Sequence, residues 1–170
     1  VALLCTALGS PYEPFAASHL PAGIGAAQPR TLLRLENFSD SIDYRSRELI
    51  ALLGAHGAPE RIEGQDSVEL WRDVRDARVF AGTDEAIWRL SVAPTAGPKA
   101  TAAIAARVPG ARWFYDWGGG LVWLAVPAGA DAAADAIRTA IRPLGGHATL
   151  VRAPAAIRAS VPVFEPLPEP

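Results

Sequence analysis

The stretch ARWFYDWGGGLVWLAVP, residues 111–127, constrains the fold more than any other part of this 170-residue chain. Two runs rich in aromatic and β-branched residues, 111–117 and 120–127, meet at Gly118, Gly119 and Gly120. Such runs favour strands, and glycine supplies the positive φ that a tight reversal needs, so the stretch reads as a β-hairpin. A hairpin pairs its strands antiparallel, which excludes a purely parallel sheet. The three glycines also invite comparison with a phosphate-cradling loop. They lead into the strand LVWLAV and not into a helix, so no helix N-terminus stands ready to receive a phosphate.

Helical and strand patterns alternate on either side of the hairpin. VALLCTAL reads as the end of a helix, stopped at Gly9–Ser10–Pro11, and EPFAASHLP as a short extended segment. TLLRLENF, residues 31–38, alternates Leu33 and Leu35 against Leu32, Arg34 and Glu36, as a strand does. Ser39 or Asp40 can cap a helix over about 42–55 whose apolar stripe is Ile42, Leu49, Ile50, Leu52 and Leu53. PERIEG is a strand candidate. DSVELWRDVRDA reads as a helix capped by Asp66 or Ser67, with Leu70, Trp71 and Val74 inward. EAIWRLSVAP (85–94) is a strand and KATAAIAARVPG a helix. ADAAADAIRTAIRPLGG is a helix capped by Asp131, and HATLVRA is the last strand. Alternation combined with antiparallel pairing predicts an α+β, ferredoxin-like sandwich: a mainly antiparallel sheet with helices on one face. The two halves are similar in plan, so the unit is a candidate for duplication.

Half of the residues are hydrophobic, enough for one domain with a core of its own. The formal charge is −2, and Lys99 is the sole lysine, so no basic stripe marks a nucleic-acid partner. The lone cysteine, Cys5, cannot form an internal disulfide and points to a cytoplasmic context. VALLCTAL is too short to span a bilayer and lacks the basic start of a signal peptide, so no transmembrane segment is expected. The opening at Val1 and the extended ending VFEPLPEP read as the limits of a domain excised from a longer protein.

His19, His56 and His147 offer no HxH, HExxH or CxxC spacing, so no metal site is expected within this chain. No GxSxG elbow is present for a serine hydrolase. Polar residues inside strands carry more information. Arg89 and Ser91 alternate with Trp88, Leu90 and Val92, and Arg152 closes the last strand. An arginine fork on an uncovered sheet face suits the carboxylate of a small organic acid; an ion pair with Glu36 or Glu85 is the plainer alternative. Alternation also puts Trp113, Tyr115 and Trp117 on one face, either as core or as a flat surface for a partner.

Taken in order, ALGSPYEPFAASHLP (7–21), WRLSVAP (88–94), WFYDWGGGLVWL (113–124) and GGHATLVRAP (145–154) resemble the C-terminal cap region of the FAD-binding E subunit of glycolate oxidase. That family belongs to the vanillyl-alcohol-oxidase-type flavoproteins. The resemblance runs over nearly the whole chain and implies a single substrate-cap domain over 1–170. The family's N-terminal FAD-binding domain and its final tail are absent from the chain. It further implies FAD as cofactor, held mainly by that absent domain, and oxidation of a 2-hydroxy acid, glycolate to glyoxylate. The expected partners are other glycolate oxidase subunits, including an iron–sulfur protein, in the cytoplasm or peripheral at the inner membrane.

The chemistry so implied needs a cation for the substrate carboxylate and a group to take the hydroxyl proton. Arg89 is the candidate carboxylate clamp, with Ser91 and Arg152 as further substrate-binding residues. His147 is the candidate catalytic base, because imidazole titrates near neutrality, and Trp117 is the candidate contact to the cofactor. Related caps resemble a GHxGDGNxH pattern where this chain has GGHATLVRA, so the metal-supporting Asp and second His are missing. The alternative to an enzyme cap is a non-catalytic α+β module that docks another subunit through the aromatic face.

Overall fold

A computed structural model of the chain describes residues 1–165. The expected extended ending falls partly on 166–170 and so lies outside the described residues. Six strands form one antiparallel sheet: β1 (Ala16–Leu20), β2 (Arg30–Arg34), β3 (Ala86–Ser91), β4 (Arg112–Asp116), β5 (Leu121–Val126) and β6 (His147–Arg152). Their order across the sheet is β2-β1-β4-β5-β3-β6. Six α-helices accompany them: α1 (Ala2–Leu8), α2 (Ser39–Leu53), α3 (Gly64–Arg75), α4 (Gly97–Ala105), α5 (Ala134–Ile141) and α6 (Ala155–Ser160).

From β3 onward the chain runs β3–α4–β4–β5–α5–β6, and these strands lie in the order β4-β5-β3-β6. That is the ferredoxin-like double split βαβ plan. Alternation builds it. Trp88 and Leu90 of β3, Val122 and Leu124 of β5, and Leu150 of β6 point to the face covered by α4 and α5, where Ile104, Ile137 and Ile141 meet them. Trp88 and Ile137 are fully buried. Each such large apolar side chain contributes roughly 1.5–3 kcal/mol when removed from water. The Trp88 indole N–H donates to the Ala132 carbonyl at 3.0 Å, so the ring is buried without stranding its polar atom.

The opposite residues of the same strands make a second core. Phe114 of β4 lies between Phe80 and Trp123, with ring centroids 5.8 and 6.5 Å away. Trp71 and Val74 of α3 close over them together with Ile87 and Ala125. Helices therefore stand on both faces, correcting the one-face expectation. The periodicity of α3 gave it an apolar stripe but not the side of the sheet on which that stripe would be buried.

A second copy of the unit is not formed. The first half supplies β1 and β2, a hairpin that extends the same sheet from the β4 edge, with α2 and α3. PERIEG is not a strand, since it has no partner. The predicted caps also shift outward. Phe38 and Glu63 precede α2 and α3 without capping side-chain bonds. Asp131 instead accepts the Ala133 N–H at 3.0 Å in the turn before α5. No helix among the described residues is long and apolar enough to cross a membrane.

Candidate functional site

The hairpin turn sets up the site. β4 ends at Asp116, whose carboxylate oxygen Oδ1 accepts the Trp117 N–H at 2.8 Å and caps a single 3₁₀ turn over Trp117–Gly119. Trp117 (φ 49°), Gly118 (φ 67°) and Gly119 (φ 106°) all adopt positive φ. Glycine does so freely, but for tryptophan the left-handed region costs about 1–2 kcal/mol. A side chain on Gly118 would also collide with Leu8 of α1. The left-handed residue takes Trp117 out of the β4 alternation. Trp113 and Tyr115 face the α4–α5 core, where the Tyr115 hydroxyl meets Thr101 at 2.6 Å and Trp113 Nε1 at 3.0 Å. Trp117 instead emerges 60 % exposed on the other side. The single aromatic face expected for subunit docking is therefore not formed.

Trp117 stands at one end of an open cleft of about 940 Å3 on the sheet face opposite α4 and α5. Arg89 of β3 and Leu121 and Trp123 of β5 form its floor. Trp71, Val74, Arg72 and Arg75 of α3 form one wall, and Leu8, Phe15 and Arg34 line another. The Arg89 guanidinium carbon lies 5.2 Å from the centre of the Trp117 ring, a cation–π contact. Register explains the meeting. Arg89 is opposite Trp123 and Asp116 is opposite Leu121, so all four share one face, two residues apart along β5.

Electrostatically the cleft favours an anion. Four arginines line it against one carboxylate, that of Asp116. Arg34 is paired with Glu36 at 2.6 Å and Arg75 with Asp76 at 2.7 Å. Arg72 and Arg89 make no ion pair among the described residues. The plainer alternative of an ion pair with Glu36 is realised for Arg34, whereas Arg89 pairs with neither Glu36 nor Glu85, which binds Arg112. Trp123 lines the cleft floor with its ring, and its indole N–H is buried without a hydrogen-bond partner among the described residues. Asp116 is only 7 % exposed, and burial pushes its carboxyl above the ordinary value of 3.8, against the opposing pull of the Trp117 N–H.

The structure brings together only part of the site expected from sequence. Arg89 and Trp117 touch. Ser91 and His147 are paired across β3 and β6 on the same sheet face but beyond the cleft lining, with His147 exposed as the first residue of an edge strand. Arg152 does not line the cleft. A register shift beside Ile87 turns it toward the Phe80 turn, where its Nη2 donates to the Phe80 and Thr83 carbonyls and the Thr83 hydroxyl. His19, His56 and His147 lie on β1, a 3₁₀ turn and β6 respectively. No group of three or more His, Cys, Asp or Glu side chains converges among the described residues.

Sequence reasoning passed over Asp116, Trp123 and Arg72. A signal for Asp116 was present, since an aspartate just before a glycine-rich turn is a capping residue held at a fixed place. Arg72 carried none, because its position depends on where α3 is laid down. No family model matches this chain, and neither a curated protein nor a solved structure matches it.

Proposed function

We propose that this chain is the substrate cap of an FAD-dependent oxidoreductase of the cytoplasm that oxidises a 2-hydroxy acid, glycolate to glyoxylate. The observation that carries the reading is Arg89, a guanidinium without an ion pair, set against Trp117 inside an anion-favouring cleft. The fork of Arg89 takes the substrate carboxylate through charge-assisted hydrogen bonds. A cleft open along one side is what a cap presents when another body completes the site.

The residues fit one side of a flavin. Trp117 offers an exposed indole face for stacking on a planar ring, and the Trp123 ring lines the cleft floor. FAD, when bound, supplies the hydride acceptor. The chain's own residues fix the carboxylate, exclude water with Trp71, Trp123 and Phe15, and orient the hydroxyl. Ser91 and His147, farther along the same face, guard the approach from the β6 edge. Electrons then leave through partner subunits, an iron–sulfur protein among them.

Glycolate titrated into the chain should change the tryptophan fluorescence, because Trp71, Trp117 and Trp123 all line the cleft. Loss of charge-assisted hydrogen bonds worth about 1.5–3 kcal/mol should weaken glycolate binding roughly 10- to 100-fold in Arg89→Ala. Arg107→Ala, on the exposed side of the molecule away from the cleft, should bind as the parent does. Equal affinity of the Arg89→Ala and parent chains would remove the carboxylate clamp.

A further inference from the structure

We propose that Asp116 makes this cleft selective for acids bearing a hydroxyl donor beside the carboxylate, over the corresponding 2-oxo acids. The inference rests on the reading of Arg89 as the carboxylate site and adds a second, opposing contact.

Asp116 is the one carboxylate in a cleft of arginines, and it is nearly buried. Its Oδ1 is occupied by the Trp117 N–H at 2.8 Å. The carboxylate makes no other hydrogen bond among the described residues, so its second oxygen is free for a ligand. Asp116 and Arg89 lie on the two strands flanking β5, offset by two residues. Sheet spacings put their backbones roughly 12 Å apart. The Arg89 guanidinium lies against the ring of Trp117, the residue next to Asp116, and Arg89 and Asp116 both line the cleft. A short acid can therefore hold Arg89 by its carboxylate while its C2 oxygen turns toward Asp116.

An ionised carboxylate only accepts hydrogen bonds. A C2 hydroxyl donates to it and satisfies it. A C2 carbonyl has nothing to donate and sets an acceptor against the nearly buried Asp116 carboxylate, where an unmet polar group is costly. The other charged side chains of the cleft are cationic. Arg89 of β3, Arg34 of β2, and Arg72 and Arg75 of α3 all line the cleft; α1 brings Cys5, whose Sγ lies 3.7 Å from the Gly118 carbonyl, and Val1 before it, with its amino group, packs against Gly119. No second carboxylate lines the cleft to share a proton with Asp116. Once protonated, Asp116 becomes a donor and can satisfy the oxo acid, so the selectivity is a property of the ionised form.

Lactate and pyruvate differ at C2 in the required way and can be titrated separately at pH 7.5 by tryptophan fluorescence. The parent chain should bind lactate about tenfold more tightly, the factor of one hydrogen bond. Asp116→Asn keeps an oxygen for the Trp117 N–H but adds an N–H donor. It should bring the two affinities within about twofold of each other, chiefly by improved pyruvate binding. If that variant does not fold, the parent's lactate-to-pyruvate ratio should fall toward one as pH drops through the raised Asp116 value. An unchanged ratio in Asp116→Asn, or equal binding by the parent at pH 7.5, overturns the role of Asp116. Arg89→Ala separates the two readings. Parallel loss of both acids upholds the carboxylate site, whereas a changed ratio in Asp116→Asn with Arg89→Ala inert leaves hydroxyl selection standing and removes the clamp. Failure of both acids to bind overturns both.

Discussion

Replacing Arg152 by alanine separates a structural arginine from a substrate-binding one. Its Nη2 donates to three acceptors: the Phe80 carbonyl, the Thr83 carbonyl at 3.3 Å and the Thr83 hydroxyl at 3.0 Å. These bonds tie the end of β6 to the turn that delivers Phe80 to the second core, where Phe80 is 1 % exposed. Hydrogen bonds to a charged group contribute about 1.5–3 kcal/mol, and an acceptor left dry costs about 1–3 kcal/mol. Because one nitrogen serves all three acceptors, the contributions do not add, and a loss of about 2–4 kcal/mol is expected. For a chain of this size that corresponds to roughly 4–16 °C in Tm. Urea denaturation monitored by circular dichroism should show a lower midpoint at unchanged slope, while lactate affinity stays within about twofold of the parent. Arg152→Lys, which keeps the charge but not the fork, should recover less than half of the loss. A normal midpoint combined with lost lactate binding would return Arg152 to the substrate site and refute the reasoning.

Two further perturbations test the frame around the cleft. Gly97→Ala would drive a methyl group into the Gly119 carbonyl of the turn that carries Trp117, and neither backbone can yield. It should destabilise the chain by about 1–3 kcal/mol in thermal melts and alter the tryptophan emission spectrum. Glu85 is held below its ordinary 4.5 by hydrogen bonds from Arg112, with the Thr83 hydroxyl adding to the effect. A depressed carboxylate stabilises the fold above its unfolded value, and that contribution is lost as pH falls through the folded value. Glu85→Gln should therefore cost about 0.5–1 kcal/mol at neutral pH, and the difference from the parent should vanish in acid titration.

Strand parity made much of the sheet legible before any coordinates. Trp88 and Leu90 against Arg89 and Ser91 read the same way in sequence and in space. Parity failed where the backbone left the strand. Trp117 counted as a third aromatic beside Trp113 and Tyr115 until its positive φ carried it to the other side. It failed again at the register shift beside Ile87, which turned Arg152 toward Phe80. Neither departure leaves a mark in the hydrophobic pattern, because each is a change of one residue's conformation and not of its composition.

The sequence by itself determined the antiparallel reversal at Gly118–Gly120 and the order β3–α4–β4–β5–α5–β6, because these follow from local conformational preference and alternation, though not α6 after the last strand. Only the tertiary structure decided that α3 crosses the face opposite α4 and α5, and that β1 and β2 extend the sheet from the β4 edge. From those placements come the cleft, the meeting of Arg89 with Trp117 and the burial of Asp116. Local preference acts over a few residues, whereas a cleft is made of side chains as far apart in the chain as Phe15, Trp71 and Asp116. What brings them together is the burial of two apolar sheet faces, a condition on the whole chain at once.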